Sequence, residues 1–409
     1  MKFVAPLSAF VLLFSCSVEK PEPRVWQSME QSLQTQLITI QDGDTLELPE
    51  GNFMFTRSLV LDGKNSVVIR GKGMDKTVLS FKNQAEGAEG LRISNGNNIV
   101  LEDFSVEDAK GDNVKVSEVR GITFRRIRSV WSEGPRTENG AYALYPVLCK
   151  QVMIEECIAA GSSDAGIYVG QSDSVIIRNN KAYWNVAGIE SENSRWVEIY
   201  DNEAYDNTGG ILIFDLPGLT QYGHSTKVYR NHVHNNNHKN FAAKGNIVAS
   251  IPPGTGFMIL ATNTLELTEN KIMDNKTVGV GVISYELVAA LNEGEVEQTS
   301  NIGGVQTLDN NFKKDTLYNP FPYRIKIYNN EYSNSHWFPA LGHDIGKLFA
   351  MKSFMHPPDV VYDGISDPER PDRQICVTEK EGVLVMVLDA AHDFEGLTKD
   401  ATALACKDQ

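Results

Sequence analysis

The sequence has few cysteines, fewer basic than acidic residues, and no long apolar run after its first fifteen residues. Its five cysteines form no Cys-x-x-Cys pair and no cluster with histidine, which argues against a structural zinc site. Lysine and arginine number 38 against 53 acidic residues, and the net charge of −15 argues against nucleic acid as a partner. The composition excludes collagen, coiled coil and wholesale disorder.

The N-terminus, MKFVAPLSAFVLLFS, combines one lysine with an apolar run too short for a membrane-spanning helix, and Cys16 follows directly. This pattern predicts an export signal over residues 1–15. The run LLFSC is similar to a bacterial lipobox, although Phe14 stands where a small residue is usual. We therefore expect a lipid on Cys16, and a protein attached to the bacterial envelope (outer membrane or cell surface) only through that anchor.

Five segments share one asparagine spacing, in which a second asparagine or a serine follows five residues after the first. The pairs are Asn180/Asn185, Asn202/Asn207, Asn231/Asn236, Asn270/Asn275 and Asn330/Ser335. Alternating apolar residues before each pair, such as Val197 and Ile199, predict strands with one buried face. Asparagine suits the left-handed turn after such a strand, and stacked amides can bond one another, so we predict structural ladders and no catalytic role.

A second marker, usually glycine, recurs at intervals of 22 to 27 residues with one interval of 46. Its positions are Gly90, Asn113, Gly140, Gly166, Gly188, Gly210, Gly256 and Gly279. Such a period indicates one small unit stacked on copies of itself. Together the two markers resemble the right-handed parallel β-helix proteins of the pectate-lyase-like group. The resemblance implies an all-β solenoid of about nine or ten coils, but no single chemistry, because this fold supports many activities.

We divide the chain into four parts on this basis. Residues 1–15 are the export signal, 16–37 a tether and N-terminal capping helix with Trp26, Met29 and Leu33 at helical spacing, 38–335 the β-helix, and 336–409 an irregular C-terminal cap. In an oxidising exported compartment, Cys376 and Cys406 of the cap are expected to form a disulfide. Cys157, at an inward position, is expected to be a buried free thiol. We expect a monomer.

The long interval contains one coil with two extra loops, residues 215–225 and 237–254. They flank the glycine-marked strands, and we expect them to form the two sides of a groove, since insertions in solenoids usually lie on the binding face. Residues two and four past each marker should point outward into it. The first column is Lys115, Tyr142, Tyr168, Glu190, Leu212 and Met258; the second is Leu144, Gly170, Glu192, Phe214 and Leu260.

Paired carboxylates between aromatic side chains and roofed by loops predict a sugar or calcium site. The candidate catalytic residues are Glu190, Glu192, Asp215, His224 and Lys244. The candidate substrate contacts are Tyr142, Tyr145, Tyr168, Gln171, Asn193 and Phe214. The candidate calcium ligands are Glu190, Glu192, Asn193 and Asp215. The alternative is that these carboxylates form an acidic patch on the solenoid that faces solvent and binds nothing.

The catalytic motifs of related β-helix enzymes are absent. Neither the DPHD run of mannuronan epimerases nor the aspartates and Gly-His-Gly of polygalacturonases occur, and Gly223-His224-Ser225 is only a partial match. His224 is either an acid–base group or a local hydrogen-bonding residue, and Lys244 either a base or a surface lysine. Three residues of a metal-ligating type follow Asn231, namely His232, His234 and His238. Their outward positions beside this asparagine predict that they do not converge on one metal ion.

Two functions remain open. The first is an exported carbohydrate-binding or carbohydrate-active protein, a lyase or hydrolase acting on an extended polar or acidic glycan. The second is a non-catalytic envelope lipoprotein that serves as a spacer or as a platform for a surface protein. The missing catalytic motifs favour the second function. The two loops on one coil favour the first, because they could enclose a binding site.

Overall fold

The computed structural model describes residues 24–291, 312–342, 344–352, 356–370 and 374–406. The predicted export signal and Cys16 lie outside these residues. Within them, no helix has the length and apolar character needed to cross a membrane.

The glycine-marked strands form one sheet, here called sheet 1, in which eleven strands stack in parallel. The strands are Arg57–Asp62, Glu86–Ser94, Val114–Ser117, Leu144–Val147, Ala165–Gly170, Ala187–Glu192, Gly209–Phe214, Thr255–Leu260, Val278–Ile283, Val360–Tyr362 and Val385–Val387.

The strands next to the asparagines form sheet 2, which also pairs in parallel. In its central coils, a six-residue strand turns at an asparagine into a three-residue strand. The strands are Trp26–Gln27, Thr45–Glu47, Gly51–Met54, Val68–Arg70, Thr77–Ser80, Asn97–Glu107, Arg120–Val130, Lys150–Glu155, Ile158–Ala160, Asp173–Arg178, Lys181–Tyr183, Arg195–Tyr200, Glu203–Tyr205, His224–Tyr229, His232–His234, Asn263–Thr268, Lys271–Met273, Tyr323–Tyr328, Glu331–Ser333 and Ile375–Thr378.

Few helices accompany the two sheets. The described α-helices are Glu30–Thr39, Tyr285–Leu291 and Asp344–Lys352, and the short 3₁₀ turns are Ile247–Ser250, Phe312–Lys314, Ala390–His392 and Ala401–Leu404. The first helix buries Leu33 and Leu37 against the first coil, as expected of a cap. Trp26, which we had expected on this helix, instead belongs to a two-residue strand paired with Gly51–Met54.

The largest apolar core of the described residues runs along the solenoid between the sheets. Alternate strand residues point into it, among them Ile189 and Ile211 of sheet 1 and Ile199 of sheet 2, all fully buried. Each such side chain stabilises the fold by about 1.5–3 kcal/mol through apolar burial. The predicted parallel β-helix is therefore the observed fold.

The asparagine ladders are confirmed. The Nδ2 of Asn180 donates to Oδ1 of Asn202 at 2.9 Å, and the same bond repeats from Asn202 to Asn231 and onward to Asn270 and Asn330. A second ladder runs through Asn185, Asn207, Asn236 and Asn275. These bonds satisfy buried amides at the corners of the coils.

The C-terminal region differs from the prediction of a wholly irregular cap. Val360–Tyr362 and Val385–Val387 extend sheet 1, and Ile375–Thr378 extends sheet 2, so sheet 1 has eleven strands where we expected nine or ten coils. A disulfide joins Cys376, on the last strand of sheet 2, to Cys406. Cys157 is a buried free thiol, as is Cys149.

Candidate functional site

The outward register of sheet 1 needs one correction. Leu144 pairs with Val114 and Ile167 and points into the core, because Ala143, not Gly140, occupies the marker position of this coil. Tyr145 therefore takes the outward position beside Lys115, where we had placed Tyr142. Tyr142 lies just before the strand and packs against the ring of Tyr145, with ring centroids 4.5 Å apart.

The outward face of sheet 1 is not an open groove. The loops over residues 215–223 and 237–254 and the segment 312–320 cover it and build a second apolar cluster. The cluster includes Tyr142, Tyr145, Tyr168, Leu212, Phe214, Leu216, Ile247, Ile251, Tyr285, Phe312 and Tyr318. The predicted pair of carboxylates lies beneath this layer, with Glu190 only 1% exposed and Glu192 0% exposed. The expectation that these side chains face solvent is wrong.

Glu192 is held by the tyrosine of the preceding coil. The hydroxyl of Tyr168 donates to Oε1 of Glu192 at 2.7 Å, while Oε2 of Glu192 is buried without a hydrogen-bond partner. Gly170 makes this contact possible, because a Cβ there would lie 2.5 Å from the tyrosine ring. Tyr168 thus fills the space that the missing side chain of Gly170 leaves beside Glu192. Burial raises the pKa of Glu192 to about 7, against the lowering effect of the tyrosine hydrogen bond.

Glu190 and Asp164 add to the buried acidic groups around Glu192. Oε2 of Glu190 is also buried without a partner, and burial together with Asp164 and Glu192 raises its pKa well above the ordinary range. Asp164 accepts a long hydrogen bond of 3.5 Å from Tyr142, and burial raises its pKa strongly too. We missed Asp164 although extending the outward alternation back from Tyr168 would have reached it.

Lys115 marks the more accessible edge of this acidic cluster. Its Nζ lies 3.8 Å from carboxylate oxygens of both Asp112 and Glu89 and 4.8 Å from the centre of the Tyr145 ring. The side chains of Lys115 and Glu89 are 21% and 18% exposed. Burial raises the pKa of Asp112 to about 7, opposed by the charge of Lys115. A positive charge therefore stands where the cluster approaches solvent.

Three of the predicted site residues hold the first loop in place. The Nδ2 of Asn193 donates to the backbone oxygens of Leu216 and Gln221, and its Oδ1 accepts from the backbone N–H of Leu216. Gln171 accepts two hydrogen bonds from Thr220, and Asp215 accepts one from the backbone of Gly223. These side chains are anchors of the loop over the carboxylates.

His224 and Lys244 do not join the carboxylates. The His224 ring lies edge-on to Trp196, with centroids 5.1 Å apart, and its Nδ1 is 3.0 Å from the Ser225 hydroxyl. Lys244 is exposed and lines an apolar cavity of about 580 Å³ further along sheet 1. The cavity is bounded mainly by apolar residues of the second loop, of the neighbouring strands of sheet 1, and of the helices Tyr285–Leu291 and Asp344–Lys352.

The predicted calcium ligands do not converge. Among the described histidine, cysteine, aspartate and glutamate side chains, only one group brings three ligand atoms within 4.8 Å of one another, and it consists of Glu203, His232 and His234. The interpretation that these histidines share no focus is therefore wrong for His232 and His234. His238 lies outside the group, with its ring against Phe241.

Comparison with known proteins agrees with this architecture. A family model described as a right handed beta helix region matches residues 137–290. The mannuronan C-5 epimerase AlgE6 A-module of Azotobacter vinelandii is similar in structure, with a TM-score of 0.51, 14% identity, and coverage of 82% of this chain and 84% of that chain. The fold is a right-handed parallel β-helix.

Two further structures are similar at lower scores. The AlgE4 A-module, also a mannuronan C-5 epimerase of A. vinelandii, gives a TM-score of 0.49 at 14% identity, covering 81% of this chain and 89% of that one. A DFA-IIIase of Arthrobacter chlorophenolicus gives 0.48 at 10% identity, covering 86% and 94%. No curated protein matches the sequence.

Proposed function

We propose that this protein is an exported, carbohydrate-active β-helix protein in which Glu192 is the acid–base group. The observation that supports this most is the state of its carboxyl: one oxygen bonds Tyr168, the other is buried and unpartnered, and the pKa is raised to about 7. A general acid or base works best when its pKa is near the working pH. Perturbed carboxyl groups of this kind gather at functional sites.

Within the proposal, the neighbouring groups have separate tasks. Burial and the neighbouring carboxylates raise the pKa values of Glu190 and Asp164, which favours their neutral forms and weakens their repulsion of an acidic sugar. Lys115 offers a positive charge to a substrate carboxylate at the accessible edge. Glu192 then gives a proton to a leaving oxygen or takes one from the sugar, while Tyr168 holds its other oxygen.

The proposed substrate is an extended acidic glycan. The AlgE6 module is named for its action on mannuronan, a class of substrate that we extend to this chain as part of the proposal. An acidic protein would repel such a polymer without a local positive charge, which Lys115 can supply. The proposed location is the bacterial envelope, through a lipid on Cys16.

A spacer or protein-binding platform is the second candidate, favoured by the closure of the site. Tyr168 and Phe214 are each 1% exposed, so a polymer reaches Glu192 only if the covering loops move. The two functions can be separated by incubating the protein with a panel of acidic polysaccharides and following the polymers by proton NMR, which detects cleavage, elimination and epimerisation alike.

We expect the wild-type protein to alter at least one polymer and Glu192→Gln to lose this activity while keeping its melting temperature at pH 5. Glu118→Gln, at an exposed glutamate of another coil, is the matched control and should keep the activity. A wild-type protein that leaves every polymer unchanged would support the platform function, and an active Glu192→Gln variant would remove Glu192 from the mechanism.

A further inference from the structure

A second chemical cluster lies on the outer surface of sheet 2, apart from the acidic cluster of sheet 1. His232 and His234 alternate along the strand His232–His234, and Val233 between them points into the core and is fully buried. Both imidazoles therefore stand on the same outer face. Glu203 lies directly opposite His232 on the adjacent parallel strand.

The three side chains face one another closely. One potential ligand atom from each lies within 4.8 Å of the other two, and Nε2 of His234 is 3.4 Å from Oε1 of Glu203. The centroids of the two imidazole rings are 4.0 Å apart. Ligands about 2.0–2.1 Å from a tetrahedral metal ion are about 3.4 Å from one another. One pair is already at this spacing, and the third ligand atom lies within 4.8 Å of both.

We propose that Glu203, His232 and His234 bind one divalent transition-metal ion, with zinc as the best match. Two imidazoles and one carboxylate are a common ligand set for zinc, and the Irving–Williams order makes copper and nickel its competitors. Three protein ligands leave at least one coordination position open for water or for an oxygen of a bound molecule. The half-buried positions of all three residues leave the site reachable from solvent.

Neighbouring groups hold the ligands in orientation. The His234 ring stacks on the ring of Tyr205, with 6° between the two ring planes. The other oxygen of Glu203 pairs with Nζ of Lys181 at 3.1 Å. Such outer contacts fix the rotamers of metal ligands and tune their affinity.

The backbone beneath the site is also fixed. Asn231 precedes the histidine strand and Asn236 follows it, and each belongs to one of the asparagine ladders. A rigid strand gives the two histidines a constant spacing, which favours a site that is formed before the ion arrives.

The test uses the mature protein without a histidine tag, treated with a chelator that is then removed. Calorimetric titration with zinc should show one ion per chain, and cobalt should give the visible spectrum of a four- or five-coordinate ion. His232→Ala and His234→Ala should each weaken zinc binding at least about 100-fold, since even outer partners of metal ligands are worth 10–100-fold. Glu203→Gln should weaken it at least about tenfold.

His238→Ala is the matched control, because His238 lies on the adjoining loop outside the group. It should bind zinc like the wild type. The melting temperatures of the metal-free variants should stay close to the wild-type value, because the replaced side chains point away from the core. The proposal is overturned if the wild type binds no more zinc than His232→Ala, or if the His238→Ala variant loses binding to the same extent.

Discussion

Replacing Glu192 with glutamine should change how the stability of the protein depends on pH. Glutamine keeps the size of the side chain and can still accept the hydrogen bond from Tyr168, but it has no proton to release. In the wild type, the folded state holds the Glu192 proton up to a pH of about 7, whereas the unfolded chain releases it near the ordinary value of 4.5.

The sign of the effect follows from this difference in bound protons. Between pH 4.5 and about 7 the folded state binds more protons than the unfolded state, so the free energy of unfolding falls as the pH rises. Each pH unit is worth about 1.4 kcal/mol, so the Glu192 contribution amounts to about 3 kcal/mol. Below pH 4.5 this contribution is fully recovered.

The assay is urea unfolding followed by tryptophan fluorescence at pH 5 and at pH 8. Relative to the wild type, Glu192→Gln should gain up to about 3 kcal/mol at pH 8 and much less at pH 5. Asp112 and Asp363, with pKa values of about 7 and about 6, act in the same direction in both proteins and cancel in the comparison. Equal differences between the two proteins at pH 5 and at pH 8 would refute this expectation.

Three further predictions concern the scaffold and are checked by thermal unfolding. Gly170→Ala should cost about 1–3 kcal/mol, since the new methyl group would displace Tyr168 from Glu192; an unchanged melting temperature would contradict this contact. Asn202→Ala should cost at least about 2 kcal/mol because it leaves ladder groups buried and unpaired, whereas a neutral effect would show that the ladder adds nothing. Replacing Cys376 and Cys406 by serine removes the disulfide that closes a loop of 30 residues, and should lower the free energy of unfolding by about 3–4 kcal/mol. Equal stability of the wild type under reducing and oxidising conditions would show that the disulfide does not stabilise the fold.

The fold could be predicted from the sequence because its signals are local and repeated. An asparagine ladder needs the same residue at the same position of every coil, as at Asn180 and Asn202, so spacing alone reveals it. The last coils could not be recognised in this way. Their strands, such as Val360–Tyr362, are short and have neither of the two markers.

The site was harder to predict because it depends on contacts between distant parts of the chain. Alternation showed that Glu190 and Glu192 point away from the core, but not what covers them. Part of the cover comes from Tyr318, whose hydroxyl bonds the backbone oxygen of Asp215 across 103 residues. The cluster of Glu203, His232 and His234 was missed, although the predicted ladder aligns Asn202 with Asn231 and so already places Glu203 opposite His232.

The pH dependence of glycan turnover tests the central claim most directly. With an acidic polysaccharide that the protein alters, the rate should change with an inflection near pH 7, the pKa to which burial raises Glu192. Glu192→Gln should abolish turnover, and Glu118→Gln should keep both the rate and the inflection. Turnover by Glu192→Gln with the wild-type pH profile would contradict the assignment of Glu192 as the acid–base group.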